Sequence, residues 1–284
     1  MIAITGATGQ LGRLVIQQLL NTVPAGQIVA AVRSPEKAAD LAALGVQVRH
    51  ADYARPATLE AAFQGVSKLL LISSSEVGHR APQHAAVIAA AQKAGVQLLA
   101  YTSLLRADTS PLGLAEEHKE TEAMLRASGL PHVLLRNGWY TENYAGSVPV
   151  ALRYGAVLGS AEDGRIASAT RADYAAAAAA VLTKDDQAGR VYELAGDTAY
   201  TLTEFAAEVA RQSGKPLVYK DLPQAAYVAA LVQAGLPDGF AALLADSDVG
   251  ASRGALFDNG HQLSQLIGRP TTALAEAVKA ALAG

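Results

Sequence analysis

The segment Gly6-Ala7-Thr8-Gly9-Gln10-Leu11-Gly12 stands directly between a short apolar run, Ile2 to Thr5, and a helical pattern from Leu11 to Asn21. Gly6 permits a tight turn, Gly9 lets backbone approach a pyrophosphate, and Gly12 lets the helix lie against the preceding strand. The first N–H groups of such a helix lack intrahelical partners and meet negative phosphate oxygens. Glycine spacing alone is a weak signal. Here it has the strand before it, the helix after it and a continuing strand–helix alternation. The turn therefore predicts a bound dinucleotide.

That alternation runs through the first 136 residues. Strands are expected at Ile2–Thr5, Ile28–Val32, Val46–His50, Lys68–Ser73, Val96–Tyr101 and His132–Arg136. Helices are expected at Leu11–Asn21, Pro35–Leu44 (with Ser34 as N-cap), Pro56–Phe63, Pro82–Ala94 and Gly113–Ala127. Short apolar strands separated by helices mean parallel strands with right-handed crossovers. The fold class is α/β, a Rossmann-type doubly wound parallel sheet, whose ligands sit beyond the C-terminal strand ends.

The rhythm breaks after Arg136. Trp139 to Arg153 reads as a less regular segment. A helix over Ala172–Leu182, a core strand over Arg190–Leu194 and a capping box of Thr201 with Glu204 follow. A short strand at Val218–Asp221 and helices at Gln224–Ala234, Phe240–Ala245 and Thr272–Leu282 complete the chain. The expected division is a nucleotide-binding core over 1–138. The mixed segment 139–284 adds one further core strand and a smaller, mostly helical C-terminal lobe on the substrate side. No Gly/Ser linker separates the two.

The residues just after each strand are the candidates for ligand contact. The second strand ends in Arg33 rather than a carboxylate. A carboxylate there would bond a ribose 2′-hydroxyl and repel a 2′-phosphate, whereas arginine forks onto the phosphate. That favours NADPH, the alternative being a solvated arginine. Asp52, with Tyr53 beside it, suits the adenine side of a nucleotide or a turn cap. Ser73, Ser74 and Ser75 let a cofactor ribose pass close to backbone, or form an ordinary turn. His79 and His84 read as loop or helix-surface residues, with no metal-ligand spacing around them. Asp173 reads as a first-turn carboxylate of its helix.

Composition narrows the partners. The 284-residue chain has a formal net charge of -3 and no basic run, which argues against nucleic acid. The chain has no cysteine, which removes disulfides, thiol chemistry and thiolate zinc sites, and fits a reducing compartment. Met1 to Thr5 reads as a buried strand rather than a signal segment, and Ala175 to Leu182 is too short to span a bilayer. The expectation is a cytoplasmic protein with no metal and no membrane insertion; homo-oligomer formation is left open.

Gly6 to Gly12 with Arg33, Tyr101-Thr102-Ser103, Lys119, the block Asn137-Gly138-Trp139-Tyr140-Thr141-Glu142-Asn143 and Arg171-Ala172-Asp173-Tyr174 resemble the atypical short-chain dehydrogenase/reductases. The subgroup is the NmrA-like one, related to nitrogen-metabolite-repression regulators and isoflavone reductases. The resemblance covers essentially the whole chain, and the Asn137 to Asn143 block is its most specific part. It implies that Gly6, Ala7, Thr8, Gly9, Gln10, Leu11, Arg33, Ser73, Ser74, Ser75, Asn137, Gly138, Trp139, Tyr140, Thr141 and Glu142 line NADPH. It further implies that Tyr140 to Tyr144 form part of the wall between nicotinamide and substrate. A small-molecule quinone is the implied electron acceptor, reduced by two electrons without flavin or metal, in a pocket between the lobes.

The usual acid of short-chain dehydrogenases, a tyrosine four residues before a lysine on one helical face, is absent: Ala115 precedes Lys119 at that spacing. Ketone reduction by that dyad is therefore not expected. Quinone reduction demands less, because a hydride lands on an electron-poor ring and the resulting anion is stable; positioning supplies much of the catalysis. Asn143, Tyr140 and Lys119 are the candidates for orientation or proton donation. The alternative is a non-enzymatic NADP(H)-binding redox sensor, consistent with the missing dyad.

Overall fold

The computed structural model describes residues 1–283. In chain order the strands are β1 (Ile2–Thr5), β2 (Ile28–Val32), β3 (Gln47–His50), β4 (Lys68–Leu71), β5 (Leu98–Leu104), β6 (His132–Asn137), β7 (Ala156–Gly159), β8 (Val191–Leu194) and β9 (Val218–Asp221). The helices are α1 (Gln10–Leu19), α2 (Ala39–Ala43), α3 (Pro56–Ala62), α4 (Arg80–Ala94), α5 (Ala115–Ser128), α6 (Glu142–Ala145) and α7 (Val148–Tyr154). They continue with α8 (Arg171–Thr183), α9 (Leu202–Ser213), α10 (Gln224–Gln233), α11 (Asp238–Ser252), α12 (Gln262–Ile267) and α13 (Leu274–Ala283).

Seven strands form one sheet in the order β3-β2-β1-β4-β5-β6-β8. The pairings from β3 through β6 are all parallel, with Ile2 opposite Ile28 on one side and Lys68 on the other. The chain winds outward from β1 through β2 to β3, then returns past β1 to β4. The strand order thus reverses at β1/β4, where doubly wound sheets bind their ligands. Strand β2 and nearly all of β4 are buried, as continuous apolar runs require of strands covered on both faces.

Contacts divide the chain into two compact units. The first comprises 1–108, 116–137 and 171–193; the second comprises 109–115, 138–170 and residues from Leu194 onward. In the first unit the alanine-rich α8 lies on α1. Ala175, Ala177 and Ala178 are fully buried there, and their short side chains are what let a helix lie so close. In the second unit β7 pairs in parallel with β9, and the expected capping box is present, Thr201 Oγ1 accepting from the Glu204 N–H and Glu204 from the Thr201 N–H.

Several expected elements differ in detail. The helix expected over Pro35–Leu44 is a 3₁₀ turn, Pro35–Ala38, followed by α2; Ser34 makes no cap bond, and the non-helical Ala38 breaks the run. Trp139 to Arg153 contains the short helices α6 and α7, and β7 was not foreseen. Nor was α12. Helix α11 is far longer than Phe240–Ala245; buried polar residues, Ser247 and Asp248, hide its second half from an apolar pattern. Gly250, also on α11, gives Leu112 its space: a Cβ there would stand 2.2 Å from the leucine Cδ2. Among the described residues no helix is long and apolar enough to cross a membrane.

A buried ionic cluster ties β5, α5, β6 and β8 together. Arg136 donates twice to Glu122, from Nε (2.9 Å) and Nη2 (2.8 Å), and once to Glu193 (2.8 Å). Ser103 Oγ also donates to Glu122 (2.7 Å). These bonds outweigh the burial of the Glu122 carboxyl and hold it below the usual carboxylate range. Removing Glu122 takes two of its hydrogen bonds from the buried Arg136 and leaves that charge to Glu193 and Asp108 alone. Glu122→Ala is expected to cost about 3–5 kcal/mol of unfolding free energy in urea titrations; a loss under about 1 kcal/mol would show that the cluster is solvated in practice.

Candidate functional site

The predicted cofactor-lining residues of the first unit gather at the C-terminal ends of β1, β2, β4 and β6, while Lys119 lies apart in sequence on α5. Gly6 takes a positive φ of 58° and opens the turn; the Gly9 N–H closes it on the Gly6 carbonyl at 2.9 Å. Gly12 is the tightest of the three glycines of this turn. A Cβ built there would meet the Gly6 oxygen at 2.5 Å and Ala7 Cα at 2.8 Å, both backbone atoms that cannot swing away. Helix α1 begins at Gln10 behind the N-cap Gly9, which has no side chain to cap it, and its first turn has no acidic residue. The N–H groups of Gln10, Leu11 and Gly12 are thus at a helix start that this chain does not dress. Such a turn fits the pyrophosphate of a dinucleotide, both in the space it keeps open and in the sign of its field.

Arg13, which sequence reading missed, braces this turn. It donates to the Thr8 carbonyl (3.2 Å) and the Lys37 carbonyl (2.7 Å) and pairs with Asp40. Thr5 fastens β1 to β4 at the reversal, its hydroxyl donating to the Leu70 carbonyl (3.1 Å) and accepting from the Ile72 N–H (3.0 Å). Arg33 is largely exposed and donates to Glu76 Oε1 at 2.8 Å. Asp52 caps a turn, accepting from the Ala54 N–H at 3.0 Å. Asn137 is buried at the end of β6, with its Oδ1 unpartnered.

Ser73 and Ser74 are held from behind by a polar network. The Ser73 N–H donates to Thr102 Oγ1 (2.8 Å) and the Ser74 N–H to His84 Nε2 (3.0 Å), while Arg80 Nε donates to the Ser74 carbonyl (2.6 Å). His84 is fully buried, so its expected surface position is incorrect. The signal was in the sequence: Arg80, His84, Val87, Ile88 and Ala91 fall on one helical stripe of α4, and all are buried.

Donor and acceptor roles fix the tautomers of both buried histidines. His84 Nε2 accepts from the Ser74 amide, so Nδ1 carries the proton and donates to Thr121 Oγ1 (2.8 Å), whose hydroxyl donates to the Glu117 carbonyl (2.9 Å). His118 Nε2 faces the Arg80 guanidinium at 3.3 Å, so its Nδ1 donates to the Tyr101 hydroxyl at 2.8 Å. Glu117 Oε1 accepts from the N–H groups of Gly78 (2.9 Å) and Arg80 (3.2 Å) and so caps α4. Lys119 lies on α5 and donates to Glu116 at 2.5 Å.

In the second unit, Gly138 to Asn143 form one continuous segment. The Gly138 N–H donates to the Leu194 carbonyl (2.7 Å); Trp139 and Thr141 exchange backbone bonds with Ala169 (3.1 and 2.9 Å) around Tyr140. Thr141 is buried and joins Ser168 (2.8 Å), which joins the Tyr200 hydroxyl (2.6 Å). Tyr140, Glu142 and Asn143 are half-buried. Tyr144 closes the segment by donating to Asp248 at 2.9 Å. Burial pushes the Asp248 carboxyl up to about 6, against the bonds from the Ser160 N–H and Tyr144.

The chain's similarities to known proteins agree with this geometry. Residues 6–185 match the NAD(P)H-binding family. Quinone oxidoreductase 2 of Escherichia coli is 65% identical over 278 residues, covering 98% of this chain and 97% of that protein. The crystal structure of the NADPH-dependent quinone oxidoreductase of Escherichia coli, complexed with NADPH, superposes with a TM-score of 0.97 at 64% identity, covering 99% of this chain and 100% of that one. The Citrobacter triphenylmethane reductase complexed with NADP(H) gives a TM-score of 0.95 at 41% identity, covering 99% of this chain and 100% of that one. The NAD(P)H azoreductase of Xenophilus azovorans is 28% identical over 99% of this chain and 97% of its own length.

Burial, then the nearby Arg80 charge, lowers His84 to about 4 and His118 to about 3. An unfolded histidine takes up its proton near pH 6.5, so below that pH the unfolded chain holds two protons the folded chain refuses, and stability falls with pH. Asp248 opposes this below about pH 6, where the folded state takes a proton that the unfolded state does not. The balance is one excess proton on the unfolded chain. We expect unfolding free energy to drop by about 1.4 kcal/mol per pH unit between pH 6 and 5. Urea titrations giving a level profile across that interval would remove the neutral assignment of the two histidines.

Proposed function

The chain belongs to the NAD(P)H-binding, NmrA-like family, and from that premise we propose that it reduces quinones to hydroquinones with NADPH. The observation that carries the reading is the near-full-length identity to quinone oxidoreductase 2 of Escherichia coli, in a chain whose glycine turn and undressed α1 start are intact.

Bound NADPH supplies a hydride. The turn from Gly6 to Leu11 holds the pyrophosphate, with the amides at the α1 start as donors, and Arg33 at the end of β2 takes the 2′-phosphate. Ser73 and Ser74, anchored from behind, line the cofactor together with Ser75 and Asn137, and the segment Gly138 to Glu142 carries the same assignment. Asn137 offers its buried carbonyl oxygen as an acceptor. Asn143 orients a quinone oxygen through its amide, and Tyr140 and Lys119 are candidates for orientation or proton donation. The two-electron balance needs the hydride and one proton for a neutral hydroquinone, and solvent completes the protonation. Because a quinone stabilises the charge it receives, the residues need only place the ring correctly. This reading assigns the enzyme to the cytoplasm, in keeping with a chain that has no cysteine.

The purified protein is expected to oxidise NADPH when a simple benzoquinone or naphthoquinone is added without flavin or metal, followed as loss of nicotinamide absorbance. No turnover across a quinone panel, in folded protein that binds NADPH, would defeat the proposal. Arg33→Ala is expected to raise the KM for NADPH by about tenfold or more, since hydrogen bonds to charged groups contribute ~1.5–3 kcal/mol. The KM for NADH should change much less; equal losses would withdraw the 2′-phosphate assignment.

A further inference from the structure

Arg33 already has an anion on it. Glu76, in the loop after β4, places Oε1 at 2.8 Å from the Arg33 guanidinium. Its other oxygen accepts from Gln83 Nε2, on α4, at 2.7 Å. The carboxylate is held from its backbone as well: the Glu76 N–H donates to Ser74 Oγ (3.1 Å), and the His79 N–H donates to the Glu76 carbonyl (3.0 Å). Just beyond, Glu117 grips the N–H groups of Gly78 and Arg80. The bonds from Gln83 and Arg33 hold the Glu76 carboxyl below its ordinary range, so it is charged at neutral pH.

We propose that Glu76 is a specificity-determining residue, a built-in carboxylate that occupies Arg33 until a cofactor 2′-phosphate displaces it. This rests on the reading of Arg33 given above and adds a competitor to it. A guanidinium presents a limited fork of donors, and a dianionic phosphate brought to the same fork meets a fixed negative charge. NADPH therefore binds by exchanging one anion for another. NADH carries no 2′-phosphate and leaves the Arg33–Glu76 pair as it stands. Glu76 thus weakens NADPH selectively and narrows the difference between the two dinucleotides. In the empty protein it also keeps Arg33 oriented across the gap between the β2 and β4 loops.

The test is a double-mutant cycle on the full chain, with Kd for NADPH and NADH measured by fluorescence titration in Arg33→Ala, Glu76→Gln and the double variant. Both side chains are exposed, and a thermal melt of each variant checks the fold. Glu76→Gln is expected to tighten NADPH about threefold, the scale of an exposed ion pair, with NADH within twofold of the parent. In the Arg33→Ala background the same substitution should give little or no gain. Unchanged or weakened NADPH binding in Glu76→Gln would overturn the proposal, as would an equal gain for NADH or a gain that persists without Arg33. Failure of the underlying reading looks different: Arg33→Ala alone would then leave the ratio of NADPH to NADH affinity intact.

Discussion

The sheet's C-terminal edge depends on how closely α1 lies against β1. At Gly12 there is no room for a methyl group, because the Gly6 carbonyl oxygen and Ala7 Cα already occupy the space. That approach makes the helix start abruptly, with a glycine where a capping serine or aspartate would sit. The cost is a helix N-terminus whose amides this chain leaves to something else. The gain is a concentrated positive field at the point where the strand order reverses. Alanine-rich α8, laid on the same helix, serves the same end, since bulkier side chains would hold α1 away.

A second device stiffens the neighbouring loop. Both backbone groups of Ser74 are bonded to α4, the N–H to His84 and the carbonyl to Arg80. Burying a histidine is costly unless both ring nitrogens are satisfied, and here each is, in one tautomer only. Protonating His84 would turn its acceptor into a donor facing the Ser74 N–H. The loop's shape is thus tied to a neutral imidazole, and the Arg80 charge beside the ring helps keep it neutral. Because Ser74 in turn caps Glu76, the position of the carboxylate on Arg33 traces back to the same buried ring.

Much of this was legible in the amino-acid sequence, for reasons specific to each part. The parallel sheet announces itself because β2 and β4 are unbroken apolar runs, and the turn because glycine is required at Gly6 and Gly12 for different steric reasons. Thr201 and Glu204 are readable because a capping box is local. His84 was misread because α4 is rich in alanine, which blurs the contrast between its faces, although its spacing to Val87 and Ile88 marks the buried stripe. The pairing of Arg33 with Glu76 was not legible at all. The two lie 43 residues apart, and only the topology brings the β2 and β4 loops together. Helix α11 was hidden for the opposite reason, since its interior includes Ser247 and Asp248, residues that local pattern assigns to solvent.

Helix α5 departs from the tyrosine–lysine pattern of short-chain dehydrogenases. Ala115, not a tyrosine, stands four residues before Lys119, and Lys119 itself is engaged by Glu116. A scaffold of this kind can still orient two rings, hold a dinucleotide by its phosphates and keep the reacting atoms together. The proposed quinone acceptor asks no more than this, because it stabilises the incoming charge itself. In the proposed reaction positioning is the larger part of what a quinone acceptor asks, and a turn built on steric necessity and a loop pinned at both backbone groups of Ser74 are suited to it.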